Sequence, residues 1–343
     1  MLENIITDRE CTQLHSLLVN AETIVLCCHQ NPDGDAMGSM LGMAEVLRML
    51  GKDPLMVVPD QYPDYLQWLP NSEKVVRFDK RRDFVNTMLK VADLIICLDF
   101  NSASRTDQMA DALCSSAAQK ILIDHHPGPD IDTTLCISHP EMSSTSELVL
   151  RIVWQMGLFD QLGKHFAVPV YCGMMTDTGG FTFNSNDPDI FFIISQLLTK
   201  RINKDKIYRS VYHNYSEHRL RMVGHVLCNR LVVDAGRHAA YFTLTRDDLR
   251  QFHFIKGDAE GLVNMPLQIK GLKLSVSLRE DTERDMVWVS LRSVDDFPCN
   301  EMAAQFFNGG GHLNASGGKL QCSIAEAEEI VKKAFAAFEN KLK

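Results

Sequence analysis

The ten cysteines include no Cys-x-x-Cys pair and show no regular spacing. That argues against a thiolate zinc site and against a disulfide framework. Cys27, Cys28, Cys97 and Cys172 lie within apolar runs, where a free thiol behaves as a small hydrophobe, so reduced, buried thiols are expected. No apolar stretch approaches the roughly 20 residues needed to span a bilayer. The opening residues MLENIITDRE have neither the basic segment nor the apolar core of a signal peptide. A cytoplasmic location is the expectation. An excess of positive charge is also missing: 35 basic side chains stand against 44 acidic ones, a formal net charge of -9. A binder of long nucleic acid usually carries a basic footprint. A short, locally recognised nucleotide is not excluded. No internal repeat or low-complexity tract interrupts the chain.

What is present is ordinary for a soluble globular protein: 343 residues, 45% hydrophobic and 23% charged. That length allows two domains. In the first half, apolar β-rich runs alternate with helical patterns. Strands are expected at 23–28, 54–59, 92–100 and 120–126. A helix is expected at 36–51, stopped by Gly51. Another is expected at 143–157, where Ser144 and Glu147 have capping-box spacing. Near-continuous apolar strands alternating with helices predict a parallel sheet covered on both faces. The stretch 187–229 reads as a charged helical connector. From 230 to 343, β-rich segments, a glycine cluster and a closing helix predict a smaller mixed α/β domain. The fold class is therefore α/β: a parallel-sheet domain over 1–186, the connector, and the second domain.

The strands of the first domain each deliver acidic or histidine residues just past their C-terminal ends. The first delivers His29, Asp33 and Asp35, the third Asp99, and the fourth Asp124, His125 and His126. The helical run before Gly179 and Gly180 delivers Asp177. A parallel sheet gathers its strand ends on one edge, so these groups can converge. Unpaired, so many carboxylates would repel and desolvate badly. Divalent cations remove that problem, and a carboxylate–imidazole set without cysteine suits Mn²⁺ or Mg²⁺. Two ions account for the number of ligands better than one, and such a pair supports in-line attack on phosphorus by hydroxide. Asp99, alone at a central strand end, is the candidate bridge. His15, His139 and His165 are read as caps or turn formers.

The tripeptide Asp124-His125-His126 resembles the signature of the DHH phosphoesterase superfamily. HQNPDGDAMGS (29–39), LDF (98–100) and MTDTGGF (175–181) fall in that family's order, and GGGHLNASGG (309–318) resembles the glycine-rich motif of its associated C-terminal domain. Length and domain content most resemble the branch that degrades very short oligoribonucleotides and removes the 3′-phosphate of 3′-phosphoadenosine 5′-phosphate (pAp). The resemblance implies one metal held by His29, Asp33 and Asp99, and a second held by Asp35, Asp99, His125 and Asp177. It implies Asp124 as a group orienting an imidazole, and His126 facing the scissile phosphate. Mn²⁺ is the expected metal, with Mg²⁺ as the alternative.

In the second domain, Gly310, Gly311 and His312 are the expected contacts to a substrate phosphate or ribose, through close backbone approach and the imidazole. Arg292, Ser293 and Arg279 are further candidates there, and Arg105 in the first domain. Short RNA, dinucleotides and pAp are the expected partners. No long nucleic acid and no membrane are expected, and a homodimer is left open. Cyclic- or linear-dinucleotide phosphodiesterase and exopolyphosphatase are the alternatives of like chemistry. A non-catalytic nucleotide-binding regulator would require an eroded ligand set, and every expected ligand is present.

Overall fold

A computed structural model of the chain describes residues 2–255 and 257–343. It divides into two compact units, Met1–Asn214 and Tyr215–Lys343. The division falls inside the 187–229 stretch.

The first unit is built on a six-stranded parallel sheet: β1 (Ile24–Cys27), β2 (Leu55–Val58), β3 (Val76–Arg77), β4 (Leu94–Leu98), β5 (Gln119–Asp124) and β6 (Leu135–Ser138). The spatial order is β3-β2-β1-β4-β5-β6, with every neighbouring pair parallel. β3 and β6 were not expected; each is too short or too polar to stand out, and each adds one edge. The helices are α1 (Asp8–Asn20), α2 (Gly34–Met49), α3 (Arg82–Val91), α4 (Ala110–Ser115), α5 (Thr145–Gln155), α6 (Lys164–Asp177), α7 (Pro188–Thr199) and α8 (Lys204–Tyr212).

Alternate strand residues feed opposite layers, as strand geometry requires. Leu26, Ile96, Leu98, Ile121 and Ile123 join the core formed with α2, α5 and α6. Val25, Cys27, Ile95, Cys97 and Leu122 join a second core with α3 and α4. Both faces are covered, which explains the near-continuous apolar runs. The chain leaves β1 toward one edge and β4 toward the other. The crevice beyond the carboxyl ends of β1 and β4 is therefore the topological switch point where such sheets bind ligands.

α2 begins at Gly34, two residues before the expected start, with Asp33 as its N-cap. Gly34 is thus a helical residue. Its lack of a side chain matters because the Thr176 side chain packs onto it. The same requirement recurs along α2. A Cβ on Gly38 would lie 2.5 Å from Pro169 O and 2.9 Å from Gly173 Cα, and one on Gly42 would lie 2.6 Å from Val170 Cγ2. Glycines one helical turn apart let the backbones of α2 and α6 approach closely.

The second unit carries β7 (Leu231–Asp234), β8 (Ala239–Leu244), β9 (Leu274–Glu280), β10 (Val287–Ser293), β11 (Gly310–Gly311) and β12 (Ala315–Leu320). Their order is β11-β12-β10-β9-β8-β7, with only β8–β9 parallel. Its helices are α9 (Glu217–His225), α10 (Arg246–Gln251), α11 (Cys299–Phe306), α12 (Ile324–Ala337) and α13 (Glu339–Leu342). α11 and α12 cover one face of this mixed sheet. Among the described residues, no helix is long and apolar enough to cross a membrane.

Candidate metal centre

The residues that follow β1, β4 and β5 and the end of α6 meet at the switch point. His29 follows β1 and is buried. Its Nδ1 lies 2.7 Å from Gln30 O. A carbonyl can only accept, so Nδ1 carries the proton and Nε2 is left as a lone-pair donor. That Nε2 is 3.3 Å from Asp99 Oδ2 and 3.9 Å from Asp33 Oδ1. His125 repeats the arrangement. Its Nδ1 donates to Met142 O at 3.2 Å, and its Nε2 lies 3.4 Å from Asp177 Oδ2, 3.6 Å from Asp99 Oδ1 and 4.0 Å from Asp35 Oδ2. In both rings the backbone selects the tautomer that a metal ligand needs.

Asp99 lies between the two rings, buried, at φ 65° in the left-handed region. Asp tolerates that conformation better than most residues, and such backbone tends to occur at functional sites. Asp33 caps α2, its Oδ1 accepting from Asp35 N and Ala36 N, both at 3.0 Å. Asp35, in the first turn of the helix, is buried. Asp177 closes α6 and is partly exposed. The close packing of α2 on α6 is what brings Asp35 and Asp177 to one place.

Among the described residues of the first unit, ligand atoms lie within 4.8 Å of one another in three sets: His29, Asp33 and Asp99; Asp35, His125 and Asp177; and Asp99, Asp124 and His126. In the third set the His126 Nδ1 donates to Asp124 Oδ1 at 2.7 Å, leaving Nε2 as the other ring donor or acceptor. Asp124 is wholly buried, and its Oδ2 has no hydrogen-bond partner.

The electrostatics are those of a site built for added positive charge. Burial pushes the Asp35 carboxyl well above the usual carboxylate range, and the charges of Asp99 and Asp177 push it further. Burial also raises Asp99, but the His29 hydrogen bond and the charges of His126, His29 and His125 outweigh it, and Asp99 stays well below the usual value. Burial disfavours charge on His125, yet Asp177, Asp99 and Asp35 together push it up to about 9. His29 is raised too: burial lowers it, and the Asp99 hydrogen bond with the charges of Asp33 and Asp99 prevails. Without cations, protons on histidine neutralise the carboxylates. The donor set therefore fits divalent cations. The charge is too negative to be stable alone, the donors are oxygen and imidazole, and the tautomers are already set.

Three donor groups at the site were not legible as such in the sequence. The backbone N–H groups of Thr145 and Ser146 donate to Asp35 Oδ2 at 2.6 Å and Oδ1 at 2.9 Å, and the Thr145 hydroxyl donates to Asp99 Oδ1 at 3.0 Å. The Ser144–Glu147 spacing did mark this helix start. Only half of the expected capping box forms. Ser144 Oγ accepts from Glu147 N at 3.0 Å, while the Glu147 carboxylate turns to Ser143 N, Ser143 Oγ and Arg151 Nε.

The remaining candidates are placed as follows. Arg105 lies near the metal residues: its carbonyl accepts from Gln30 N at 2.7 Å, and its charge acts on His29. In the second unit, Arg279 and Arg292 are half-buried on β9 and β10. Arg279 lies over the Phe254 ring, 5.3 Å from its centroid, and burial lowers its pKa. Ser293 is buried; its hydroxyl donates to Phe297 O at 2.9 Å and accepts from Asn314 Nδ2 at 2.8 Å. Gly310 and Gly311 form β11, paired with Gly317 and Ser316. The glycine run was expected to offer its backbone N–H groups to an anion. At its two ends these groups are already engaged, Gly309 N with Ala303 O and His312 N with Ala315 O. The lack of side chains serves packing as well, because a Cβ on Gly309 would overlap Gly317 O. His312 is half-buried at the hairpin end.

Residues 23–174 match the N-terminal domain of the DHH family, and residues 239–341 match the DHHA1 domain. The bifunctional oligoribonuclease and PAP phosphatase NrnA of Bacillus subtilis is 27% identical over 325 residues, covering 93% of this chain and 96% of that protein. Its namesake in Thermus thermophilus is 27% identical over 298 residues, 87% of this chain and 84% of that protein. The crystal structure of an exopolyphosphatase-related protein from Bacteroides fragilis superposes with a TM-score of 0.95 at 46% identity, covering 99% of both chains.

Proposed function

The chain belongs to the DHH family and is a hydrolase of that phosphoesterase family, and from that premise we propose that it cleaves very short oligoribonucleotides to mononucleotides and removes the 3′-phosphate of pAp. The observation that carries this reading is the convergence of His29, Asp33, Asp35, Asp99, His125 and Asp177 at one sheet edge. Two relatives of nearly the same length, both named as oligoribonuclease and PAP phosphatase, supply the substrate class.

Two divalent cations, Mn²⁺ in our reading, would be held by His29, Asp33 and Asp99 and by Asp35, Asp99, His125 and Asp177. When bound they supply the positive charge that polarises a phosphoryl group and makes water acidic enough to act at neutral pH. The rest is done by the chain. His29 and His125 keep their Nδ1 protons on backbone carbonyls, so their Nε2 lone pairs stay directed at the cluster. Asp124 fixes the His126 ring through Nδ1, so that Nε2 is the ring atom that would give a proton to the leaving oxygen. Arg105, Arg279, Arg292, Gly310, Gly311 and His312 are proposed as substrate contacts. Ser293 is proposed to brace the adjoining turn, since its hydroxyl is engaged by Phe297 O and Asn314 Nδ2. We propose that 187–229 joins a catalytic and a substrate-binding domain, and that the protein works in the cytoplasm, where its ten free thiols would stay reduced.

The test is a turnover panel with Mn²⁺: a five-base RNA, pAp, linear diadenylate and polyphosphate. Hydrolysis of the RNA and pAp is expected. Polyphosphate is the competing substrate because the Bacteroides fragilis relative is described as exopolyphosphatase-related. Cleavage of polyphosphate alone would overturn the substrate assignment, and cleavage of none would favour a regulator.

A further inference from the structure

We infer that Thr145 is a positioning residue of the metal centre, holding Asp35 through its backbone N–H and Asp99 through its hydroxyl. The inference rests on the two-metal reading above.

Thr145 is the first residue of α5 and is wholly buried. Its N–H donates to Asp35 Oδ2 at 2.6 Å, and the next N–H, of Ser146, donates to Asp35 Oδ1 at 2.9 Å. Both Asp35 oxygens are thus tied to one helix end. The Thr145 hydroxyl donates to Asp99 Oδ1 at 3.0 Å. One residue therefore touches a carboxylate proposed for one metal and the carboxylate proposed to be shared by both.

The orientation of Asp99 gives the hydroxyl its importance. Asp99 Oδ2 faces His29 Nε2 at 3.3 Å, while Oδ1 faces His125 Nε2 at 3.6 Å. Each oxygen is thereby directed at a different histidine. A carboxylate at the end of a single bond turns readily. Turned about that bond, it would no longer present one oxygen to the His29 side and one to the His125 side. The Thr145 hydroxyl is the neutral donor on Oδ1, and it holds the plane of the carboxylate so that the two oxygens stay divided.

Thr145 is itself held. Ser144 caps α5, Glu147 bonds Ser143 and Arg151, and Arg151 reaches Asp189 at 3.1 Å. Gly173 has no side chain where a Cβ would overlap Ser146 Oγ and lie 2.9 Å from Asp35 Oδ1, so α6 closes against this helix end. The start of α5 is thus tied by hydrogen bonds on one side and packed against α6 on the other.

The experiment compares Thr145→Val, which keeps the shape and the N–H but lacks the hydroxyl, with Thr145→Ser, which keeps both donors. Mn²⁺ binding is measured by calorimetry on the full chain, with thermal unfolding as a check of folding. The manganese pair is examined by electron paramagnetic resonance, where two ions sharing a ligand give an exchange-coupled signal. Losing an oriented partner of a metal ligand typically weakens metal affinity or activity about 10–100-fold. T145V should lose affinity in that range and lose the coupled signal, with kcat falling and KM for pAp changing less than about twofold. T145S should bind within about threefold of the parent. Should T145V not fold, Thr145→Ala takes its place in the comparison. Two Mn²⁺ bound with unchanged affinity and coupling in T145V would overturn the inference. Equal losses in T145V and T145S would also overturn it, because keeping the hydroxyl would then make no difference and any change of packing at this buried position would be enough. A parent protein that binds no Mn²⁺ would overturn the metal reading, and the inference with it.

Discussion

Gly38→Ala tests whether helix contact positions the metal residues. In an exposed helix, replacing Gly by Ala stabilises by roughly 0.5–1 kcal/mol, because Gly gives up more freedom on folding. At Gly38 the added Cβ would be 2.5 Å from Pro169 O and 2.9 Å from Gly173 Cα. Both are backbone atoms and cannot swing aside. An ordinary carbon–oxygen contact needs about 3.2 Å or more, so α2 and α6 must separate by roughly 0.7 Å. A gap of that size forfeits roughly a quarter to a half of the dispersion attraction across the contact, and overpacking of this kind costs about 1–3 kcal/mol. The net expectation is a loss of about 1–2 kcal/mol. The same displacement separates Asp35 on α2 from Asp177 on α6, so Mn²⁺ affinity should fall about tenfold or more. Gly224, exposed on α9 with nothing within 4 Å of its Cβ position, is the control. Gly224→Ala should stabilise by about 0.5–1 kcal/mol and leave Mn²⁺ binding unchanged. Chemical denaturation followed by circular dichroism, with calorimetric Mn²⁺ titration, reads both effects. The reasoning fails if G38A is as stable as the parent or more so, or binds Mn²⁺ equally well.

Three further outcomes follow from the same geometry. Asp99→Asn keeps a residue that tolerates φ 65°, so it should fold normally yet lose at least about 10²–10³-fold in turnover; near-parental rates would refute the bridging role. Chelation should destabilise the first unit, since ions at about 100 times Kd add about 2.7 kcal/mol per site. That is a fall in Tm of roughly 5–10 °C for each site, reversed by Mn²⁺, and an unchanged Tm would count against a metal held by buried ligands. In the second unit, burial raises Asp248, but the Arg230 hydrogen bond at 2.8 Å, the Thr245 donors and the Arg230 charge hold it below the usual aspartate value. A carboxyl depressed in the folded state stabilises above its unfolded pKa, near 3.9, and that contribution disappears as pH falls through the folded value. Denaturation between pH 6 and pH 3 should show an acid-side loss that Asp248→Asn removes; an identical slope in that variant would place the loss elsewhere.

Much of this site could be read before any coordinates. The apolar runs of β1, β4 and β5 specified buried parallel strands, and the polar residues after each run were separated from them by composition alone. A parallel sheet has one carboxyl edge, so His29, Asp99 and His125 had to fall on it wherever the strands lay. Asp33 and Asp35 were legible because two carboxylates so near a buried strand need a partner. The second unit was read in outline, but β11 and β12 were hidden, because a glycine-rich hairpin has no alternation of side chains to reveal it.

The identities and order of the candidate ligands were therefore determined by the sequence, since local composition decides which residues end strands. Their mutual arrangement was decided by the tertiary structure. The distance from Asp35 to Asp177 depends on how closely α2 and α6 pack, through Gly38, Gly42 and Gly173. The orientation of Asp99 depends on a hydroxyl 46 residues further along the chain. Contacts between residues so far apart are set by how helices pack on a sheet, and no periodicity along the chain records them.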